Sequence, residues 1–124
     1  MKRFSLKDAE VIDRTYGVMK MLAGGKLVST RNADLRILEI EPGESTSTHY
    51  HAMSESIFYV LTGSVAMTVG SVDIGLSDSE GVVVEPHEVH VLRNSGSRRA
   101  YVLETMSPPF SSKDIYGGQA SPRE

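Results

Sequence analysis

Turn-forming residues interrupt this chain at intervals of roughly ten residues, and this spacing limits the folds open to it more than any other feature. Short runs rich in Val, Ile, Leu, Tyr and Thr lie between the turns. Short, regularly spaced strands separated by turn signals are typical of an all-β sandwich or barrel, which is the fold class we predict. The turn signals are Gly24-Gly25, Asn32, Pro42-Gly43, Gly63, Gly70, Gly75, Gly81, Pro86 and Ser95-Gly96.

Strands are predicted wherever a run of β-forming residues lies between two of these turns. The two strands on either side of Gly63 are joined by a very short step, which predicts a hairpin between them. Ser5 and Asp8 have the spacing of a capping box, which predicts one helical turn over Leu6–Glu10. The predicted strands are Lys26–Ser29, Leu35–Glu41, Ser47–His51, Ile57–Thr62, Ser64–Val69, Val72–Gly75, Gly81–Val84, Val89–Arg93 and Arg99–Thr105.

The composition of this 124-residue chain excludes several classes of function. A chain of this length is one domain, and without cysteine it has no disulfide, thiolate zinc site or cysteine nucleophile. The segment MKRFSLKDAEVIDR lacks the apolar core of a signal peptide, and no run approaches the roughly 20 apolar residues of a membrane span. The net charge is −3, with Lys and Arg scattered. We therefore expect a small cytoplasmic protein that binds neither membranes nor nucleic acids.

All four histidines of the chain lie in two short segments, each beside a turn and a run of β-forming residues. His49 and His51 are two residues apart, so both imidazoles point to the same face of a strand. Two nitrogen donors can then meet at one metal ion. A metal site adds ligands from elsewhere in the chain, and the sequence offers His90 and Glu55. The alternative is that His49 and His51 are ordinary surface histidines on an edge strand.

The two histidine segments resemble the two sequence motifs of the cupin superfamily. The first motif, G-x5-H-x-H-x3–4-E-x6-G, is matched at Gly43, His49, His51 and Gly63. The second, P-x-G-x2-H-x3-N, is matched at His90 and Asn94. The resemblance implies an all-β, double-stranded β-helix (jelly-roll) barrel with a metal site in its mouth. It also implies three regions: an N-terminal extension over 1–34 that packs on the barrel or on a dimer partner, the barrel over 35–106, and a tail over 107–124.

The metal ligands that the resemblance implies are His49, His51 and His90, with water or substrate in the remaining positions. Imidazoles bind several divalent transition metals, so the sequence does not choose among Zn, Fe, Ni, Mn and Cu. Three neutral imidazoles leave the +2 charge of such an ion uncompensated, which favours anionic ligands. The tail is poor in apolar residues, and we expect Gly117–Glu124 to be mobile.

The first motif departs from the family pattern at its glutamate. Counting forward from His51 places the glutamate at Glu55, whereas counting back from Gly63 places Ser56 at that position. If Ser56 faces inward, Phe58 faces inward too and Glu55 faces away. Glu55 is then a fourth metal ligand only if a β-bulge shifts the register by one residue. Otherwise Glu55 is a solvated residue at the rim of the barrel.

The second motif departs from the family pattern at its proline and glycine. Aligned on His90, the family's proline falls on Glu85 and its glycine on His87, while Pro86 comes one position late. His87 is therefore expected at the barrel mouth, as a hydrogen-bond donor behind the ligands, a general base or an exposed turn residue. His87 and Glu55 are the candidate proton-transfer groups.

The resemblance implies a metal-binding single-domain cupin that acts on a small molecule as a dioxygenase, isomerase or lyase. The alternative is a non-catalytic cupin that binds or senses a small ligand, with a weak or empty metal site. The outward residues Ile57, Tyr59 and Leu61 are rather apolar for a strand that meets water, so they need cover. Small cupins are commonly dimers, and the resemblance therefore favours a homodimer.

Overall fold

The computed structural model describes residues 1–117, which form β-strands preceded by one turn of 3₁₀ helix at Leu6–Asp8. The strands are β1 (Glu10–Arg14), β2 (Gly17–Ala23), β3 (Leu35–Ile40), β4 (Glu55–Thr62), β5 (Ser64–Val69), β6 (Val72–Ser77), β7 (Gly81–Val84), β8 (His90–Asn94) and β9 (Ala100–Ser107). The predicted all-β fold is confirmed.

The strands form two antiparallel sheets that share one apolar core. The larger sheet has the order β1-β2-β3-β9-β4-β7, and the smaller has the order β6-β5-β8. The core combines Val60 and Val102 of the larger sheet with Val65, Met67 and Leu92 of the smaller one. Because these side chains are buried against one another, the two sheets close around a common interior, as in a barrel.

From Glu55 to Leu61, the side chains of β4 alternate between the interior and solvent. Ser56 and Phe58 are buried, whereas Glu55 and Ile57 are exposed. Pairing with β9 stays in register from Glu55 through Val60, so no bulge lies near the start of the strand. Position 56 therefore faces inward.

The turn at Gly63 carries the chain from one sheet to the other. Gly63 has φ of 116°, which a residue with a side chain adopts only with strain, and its N–H donates to Asp78 Oδ1 at 2.7 Å. β4 belongs to the larger sheet and β5 to the smaller. The predicted hairpin is therefore wrong, because a tight turn between two strands can also be a corner between sheets.

Two predicted strands are wrong and two real ones were not predicted. Lys26–Ser29 is a bend, and Ser47–His51 makes isolated bridges without a continuous ladder. Conversely, residues 10–23 form β1 and β2 and extend the larger sheet beyond β3. Polar residues interrupt the apolar pattern of β1, and the turn at Thr15-Tyr16 contains no glycine, proline or asparagine that would mark it as a turn.

Both ends of the described chain differ from the prediction in detail. The 3₁₀ turn ends at Asp8, two residues earlier than predicted. Ser5 Oγ donates to the Asp8 carboxylate at 2.8 Å and makes no capping hydrogen bond with a backbone N–H. Except for Gly117 itself, the segment expected to be mobile, Gly117–Glu124, lies outside the described residues. Within residues 1–117, no helix has the length and apolar character that a membrane crossing would need.

Candidate metal centre

Three histidines meet inside the barrel because two segments of backbone pair beside them. His49 N–H donates to the His90 carbonyl at 3.1 Å, and His90 N–H donates to the His49 carbonyl at 2.8 Å. This antiparallel pair puts the two rings side by side, and His51 follows two residues later on the same face. Ring centroids are 4.5 Å apart for His49 and His90, 5.0 Å for His49 and His51, and 5.8 Å for His51 and His90.

Each of the three rings is fixed by a hydrogen bond from its Nδ1 atom to a backbone carbonyl. His49 Nδ1 donates to Ser47 O at 2.8 Å, and His90 Nδ1 donates to Glu88 O at 2.9 Å. His51 Nδ1 donates to Asp114 O at 2.6 Å. A carbonyl oxygen accepts only, so Nδ1 carries the proton and Nε2 keeps its lone pair. All three residues are thereby set up as neutral nitrogen ligands through Nε2.

Burial keeps the three imidazoles uncharged. It lowers the pKa of His49 to about 3, and the neighbouring His90 adds to the effect. Burial likewise lowers the pKa of His51 and of His90, although the hydrogen bonds to Asp114 O and Glu88 O oppose it. Neutral imidazole is the form that binds a metal ion.

The space between the rings fits a metal ion. One ligand atom from each histidine lies within 4.8 Å of the other two, and all three residues are buried. His90 Nε2 is buried and has no hydrogen-bond partner in the described structure. The cavity that the rings line is about 10 Å³, close to the space that one water molecule or ion needs. The donor set and the unpartnered nitrogen both match a divalent transition metal.

Glu55 does not join this cluster. It is exposed on the outer face of β4 and pairs in regular register with Ser107 of β9, so the bulge that would turn it inward is absent from the described structure. The suggestion of Glu55 as fourth ligand is therefore wrong. Ser56 takes the inward position, with its Oγ buried and without a hydrogen-bond partner among the described residues.

His87 lies outside the cluster, next to its backbone. It is exposed and has φ of 73°, and its N–H donates to His51 O at 2.7 Å. Its ring is 6.0 Å from the ring of Tyr50, the residue between His49 and His51. The His87 side chain therefore does not line the cavity of the three rings in this structure.

Polar residues on the opposite wall of the cavity were missed by sequence reasoning. Arg36 of β3 and Glu104 of β9 are direct cross-strand partners, and both line the cavity of the three histidines. Arg36 pairs with the Asp34 carboxylate, and its Nε lies 3.9 Å from Glu104 Oε1. Burial raises the pKa of the Glu104 carboxyl, while Arg36 opposes this. The available signal was period-two alternation, which puts Glu104 on the buried face with Val102.

A larger cavity adjoins the small one. Its volume is about 450 Å³, within the usual range of small-molecule sites, and Met19 and Arg36 line both cavities. Its wall combines the apolar Met21 and Phe110 with charged residues at its rim. Arg36 lies 5.7 Å from the centre of the Phe110 ring, so these two side chains stand where the cavities meet.

An antiparallel barrel with three inward-facing histidines defines the class to which this chain belongs, the cupin barrels. The family model described as a cupin domain matches residues 36–106, which is more than half of the chain. The chain is a member of the cupin family, as the two sequence motifs predicted.

Particular relatives agree with that assignment. The tetracenomycin polyketide synthase protein TcmJ of Streptomyces glaucescens is 30% identical over 95 residues, which is 77% of this chain but 64% of that protein. Among solved structures, KdgF from a Halomonas species has a TM-score of 0.77 at 18% identity, over 87% of this chain and 94% of that one. The polyketide cyclase RemF of Streptomyces resistomycificus has a TM-score of 0.73 at 19% identity, over 86% and 79%. The two structural likenesses are evidence for the fold alone.

Proposed function

We propose that this chain is a metal-dependent cupin enzyme acting on a small molecule, with one divalent transition metal held by His49, His51 and His90. The observation that carries the proposal is that all three Nδ1 atoms donate to backbone carbonyls, which leaves three Nε2 lone pairs at one cavity. An ordinary core histidine needs a partner for both nitrogens, whereas His90 Nε2 is buried and has no hydrogen-bond partner within residues 1–117.

The metal would supply Lewis acidity, polarising a carbonyl or hydroxyl oxygen of the substrate. The protein would hold the rings in one tautomer and orientation, and the buried walls would exclude bulk water. Arg36 and Phe110 would orient the substrate, because they stand between the metal cavity and the larger one. These roles suit lyase or isomerase chemistry, which needs a polarised oxygen and a fixed substrate but no external oxidant.

We propose a keto- or hydroxyl-bearing carbon skeleton of the polyketide type as the substrate. Support comes from the name of TcmJ, a polyketide synthase protein, and from that of RemF, a polyketide cyclase. The adjoining cavity of about 450 Å³ has room for a small molecule, and its Met19, Met21 and Phe110 side chains would pack against a planar ring.

Metal binding tests the proposal directly. The protein is stripped with a chelator, and Zn²⁺, Fe²⁺, Ni²⁺, Mn²⁺ and Cu²⁺ are titrated back, with His49→Ala as the matched variant. We expect one ion per wild-type chain and none at this site in the variant. A protein that carries no metal as isolated and rebinds none of the five would contradict the proposal. Turnover of a panel of poly-keto and phenolic compounds, with and without oxygen, then separates lyase or isomerase activity from dioxygenase activity.

A second candidate function is a non-catalytic cupin that binds or senses a small ligand. The observation in its favour is that the cavity between the histidines, about 10 Å³, holds no organic molecule as it stands. In that case a ligand would bind in the larger cavity without turnover. Calorimetric binding of a panel compound that is recovered unchanged would support this candidate against the enzyme.

We further propose that the protein is a homodimer in which a second copy covers the outer face of β4. Ile57, Tyr59, Leu61 and the cross-strand neighbour Val83 are each at least 40% exposed there. Light scattering should show a dimer, and Ile57→Glu should give a monomer. Val72→Glu is the matched control, because Val72 is also an exposed apolar strand residue but lies on β6 in the other sheet. A monomeric wild-type protein would contradict this proposal.

A further inference from the structure

Glu104 is a buried acidic residue whose carboxyl group has few stabilising contacts among the described residues. Its side chain is inside the barrel on β9, and its closest charged partner in the described structure is Arg36 Nε at 3.9 Å. That distance is long for a hydrogen bond, and Arg36 is already paired with Asp34. Burying a carboxyl group without strong partners destabilises a fold unless something else compensates for it. The compensating group is therefore to be sought in the cavity that Glu104 lines.

The other wall of that cavity is built from the three histidines. Glu104 and the rings of His49, His51 and His90 line the same small space. Three neutral imidazoles bring no charge to a divalent cation. The opposite wall brings the Arg36 guanidinium and the Glu104 carboxyl group, and Arg36 is paired with Asp34, which does not line the cavity. These three groups sum to −1 when all are ionised. A cation held by the histidines would favour the ionised form of Glu104, and the negative charge missing from the histidine wall would then lie across the cavity.

We propose that Glu104 is the carboxylate of this metal site: it offsets the charge of the cation from the opposite wall and makes the cavity prefer neutral oxygen ligands to anions. It takes the part left open by Ser56, which faces inward but carries no charge. The inference deepens the proposed function and rests on the three-histidine site. Glu104 acts here as a positioning residue, since it lies outside the group of ligand atoms within 4.8 Å of one another.

The ligand preference follows from the net charge at the site. A dication beside three neutral rings alone attracts anions such as azide or carboxylates. With Glu104 facing the same cavity, an anion that enters meets a second negative charge at short range in a buried space, where charges are weakly screened. A carbonyl or hydroxyl oxygen meets no such penalty. The proposed keto- or hydroxyl-bearing substrate is therefore compatible with both walls.

Co²⁺ titration of the full chain tests the proposal, with Glu104→Gln, Glu104→Asp and Glu55→Gln compared with the wild type. Glu55 is the matched control because it is a carboxylate of the same motif region on the outer face. We expect Glu104→Gln to weaken Co²⁺ affinity by about 10–100-fold, the usual range for groups behind the metal ligands. Glu104→Asp, which keeps the charge, should recover part of the loss, and Glu55→Gln should match the wild type.

Azide binding, followed in the visible spectrum of the Co²⁺ protein, supplies the second measurement. Removing one nearby negative charge should tighten azide binding to Glu104→Gln by about tenfold, while Glu55→Gln stays at the wild-type value. Thermal unfolding of the metal-free variants separates a folding defect from a loss of affinity. If Glu104→Gln matches the wild type in both titrations, the proposal for Glu104 is wrong and the histidine site stands. If Glu104→Gln does not fold, Glu104→Asp is measured in its place. A loss of Co²⁺ affinity in Glu104→Asp as large as the loss expected for Glu104→Gln then overturns the proposal in the same way, because the Asp variant keeps the charge. If the wild type binds no Co²⁺, both proposals are overturned.

Discussion

The two walls of the histidine cavity are held in place in different ways. On one wall, every ring is tied through Nδ1 to a backbone carbonyl 2.6–2.9 Å away. On the other wall, Glu104 has one ion pair at 3.9 Å, to an arginine that is shared with Asp34. The rings of the first wall are oriented by hydrogen bonds before any ion binds, whereas the Glu104 carboxyl on the second wall has only this long ion pair among the described residues. For the proposed ion, the histidines would set its position and the acidic wall would adjust its affinity.

The two walls also differ in the sequence separation between a side chain and the group that orients it. His49 and His90 are each fixed by the carbonyl two residues earlier, so their orientation is local. Arg36 and Glu104 meet only because β3 and β9 pair antiparallel. Substitution of the locally oriented His49 or His90 should therefore act mainly on metal binding, whereas changes to the opposite wall should also act on the sheet.

Removal of a histidine should have the largest effect. His90→Ala deletes one of three ligands, and we expect metal affinity to fall by more than the 10–100-fold, or thereabouts, that is typical of residues behind the ligands. The measurement is a competition titration with a coloured chelator. His87→Ala is the matched control, since His87 is an exposed histidine of the same segment, and its affinity should stay unchanged. Equal losses in the two variants would mean that His90 is not a ligand.

Removal of the Asp114 carboxylate should have the next largest effect. It accepts the N–H groups of Ala52 at 2.8 Å and Met53 at 3.1 Å, and the Asp114 carbonyl accepts from His51 Nδ1. Asp114→Ala should lower the free energy of unfolding by about 1–3 kcal/mol, because the N–H groups lose a charged acceptor. It should also weaken metal binding by about tenfold through His51.

Urea unfolding and metal titration of Asp114→Ala measure the two effects. Asp73→Ala is the control, because the Asp73 carboxylate accepts from Thr68 Oγ1 at an exposed position. An Asp114→Ala protein with wild-type metal affinity would show that His51 is oriented without this segment.

Acid should destabilise the metal-free protein through the histidine wall. Unfolded histidines take up a proton as the pH falls through about 6.5, whereas the folded pKa of His49 is about 3. The unfolded state then binds more protons, so stability is full above pH 6.5 and falls below it, by up to about 1.4 kcal/mol per pH unit for each histidine that stays neutral. Glu104 has the opposite effect on the free energy of unfolding, because its pKa is raised on folding. It is one group, whereas three histidines act in the other direction.

Urea unfolding of the metal-free protein between pH 7.5 and pH 5 measures this slope. A free energy of unfolding that stays flat over this range would show that the three buried rings are not neutral.

The smallest effect is expected at Ser56. Its Oγ is buried without a hydrogen-bond partner among the described residues, so Ser56→Ala removes an unsatisfied polar group. We expect the free energy of unfolding to stay the same or rise by no more than about 1 kcal/mol, with unchanged metal affinity. A clear loss of affinity would give the Ser56 hydroxyl a direct part in the site.

Local patterns predicted the barrel and the histidine cluster well. The spacing of turns identified the all-β class, whereas the parity of β4 left Glu55 and Ser56 as alternatives until the strand pairing gave the register. The two motifs predicted that His90 lies beside His49 and His51. The backbone pairing of His49 with His90 and the short distances among the three rings confirm this arrangement.

The rest depended on contacts between distant parts of the chain. Nothing near Glu104 in sequence shows that Arg36 is its cross-strand partner, because that pairing is set by the order of strands in the larger sheet. β1 was missed because its polar residues hide the apolar alternation. The turn at Gly63 has the same sequence features whether it joins strands of one sheet or of two, so topology alone decides.

The hydrogen bond from His51 to the Asp114 carbonyl spans 63 residues and has a consequence for the order of events in the cell. A ribosome releases the histidine motif long before it adds residue 114, at a pace of about 5–20 residues per second. During that interval His49 and His90 can find their local carbonyls, but His51 lacks the one that sets its tautomer. A metal site that uses all three histidines would therefore be complete only after residue 114 has been added.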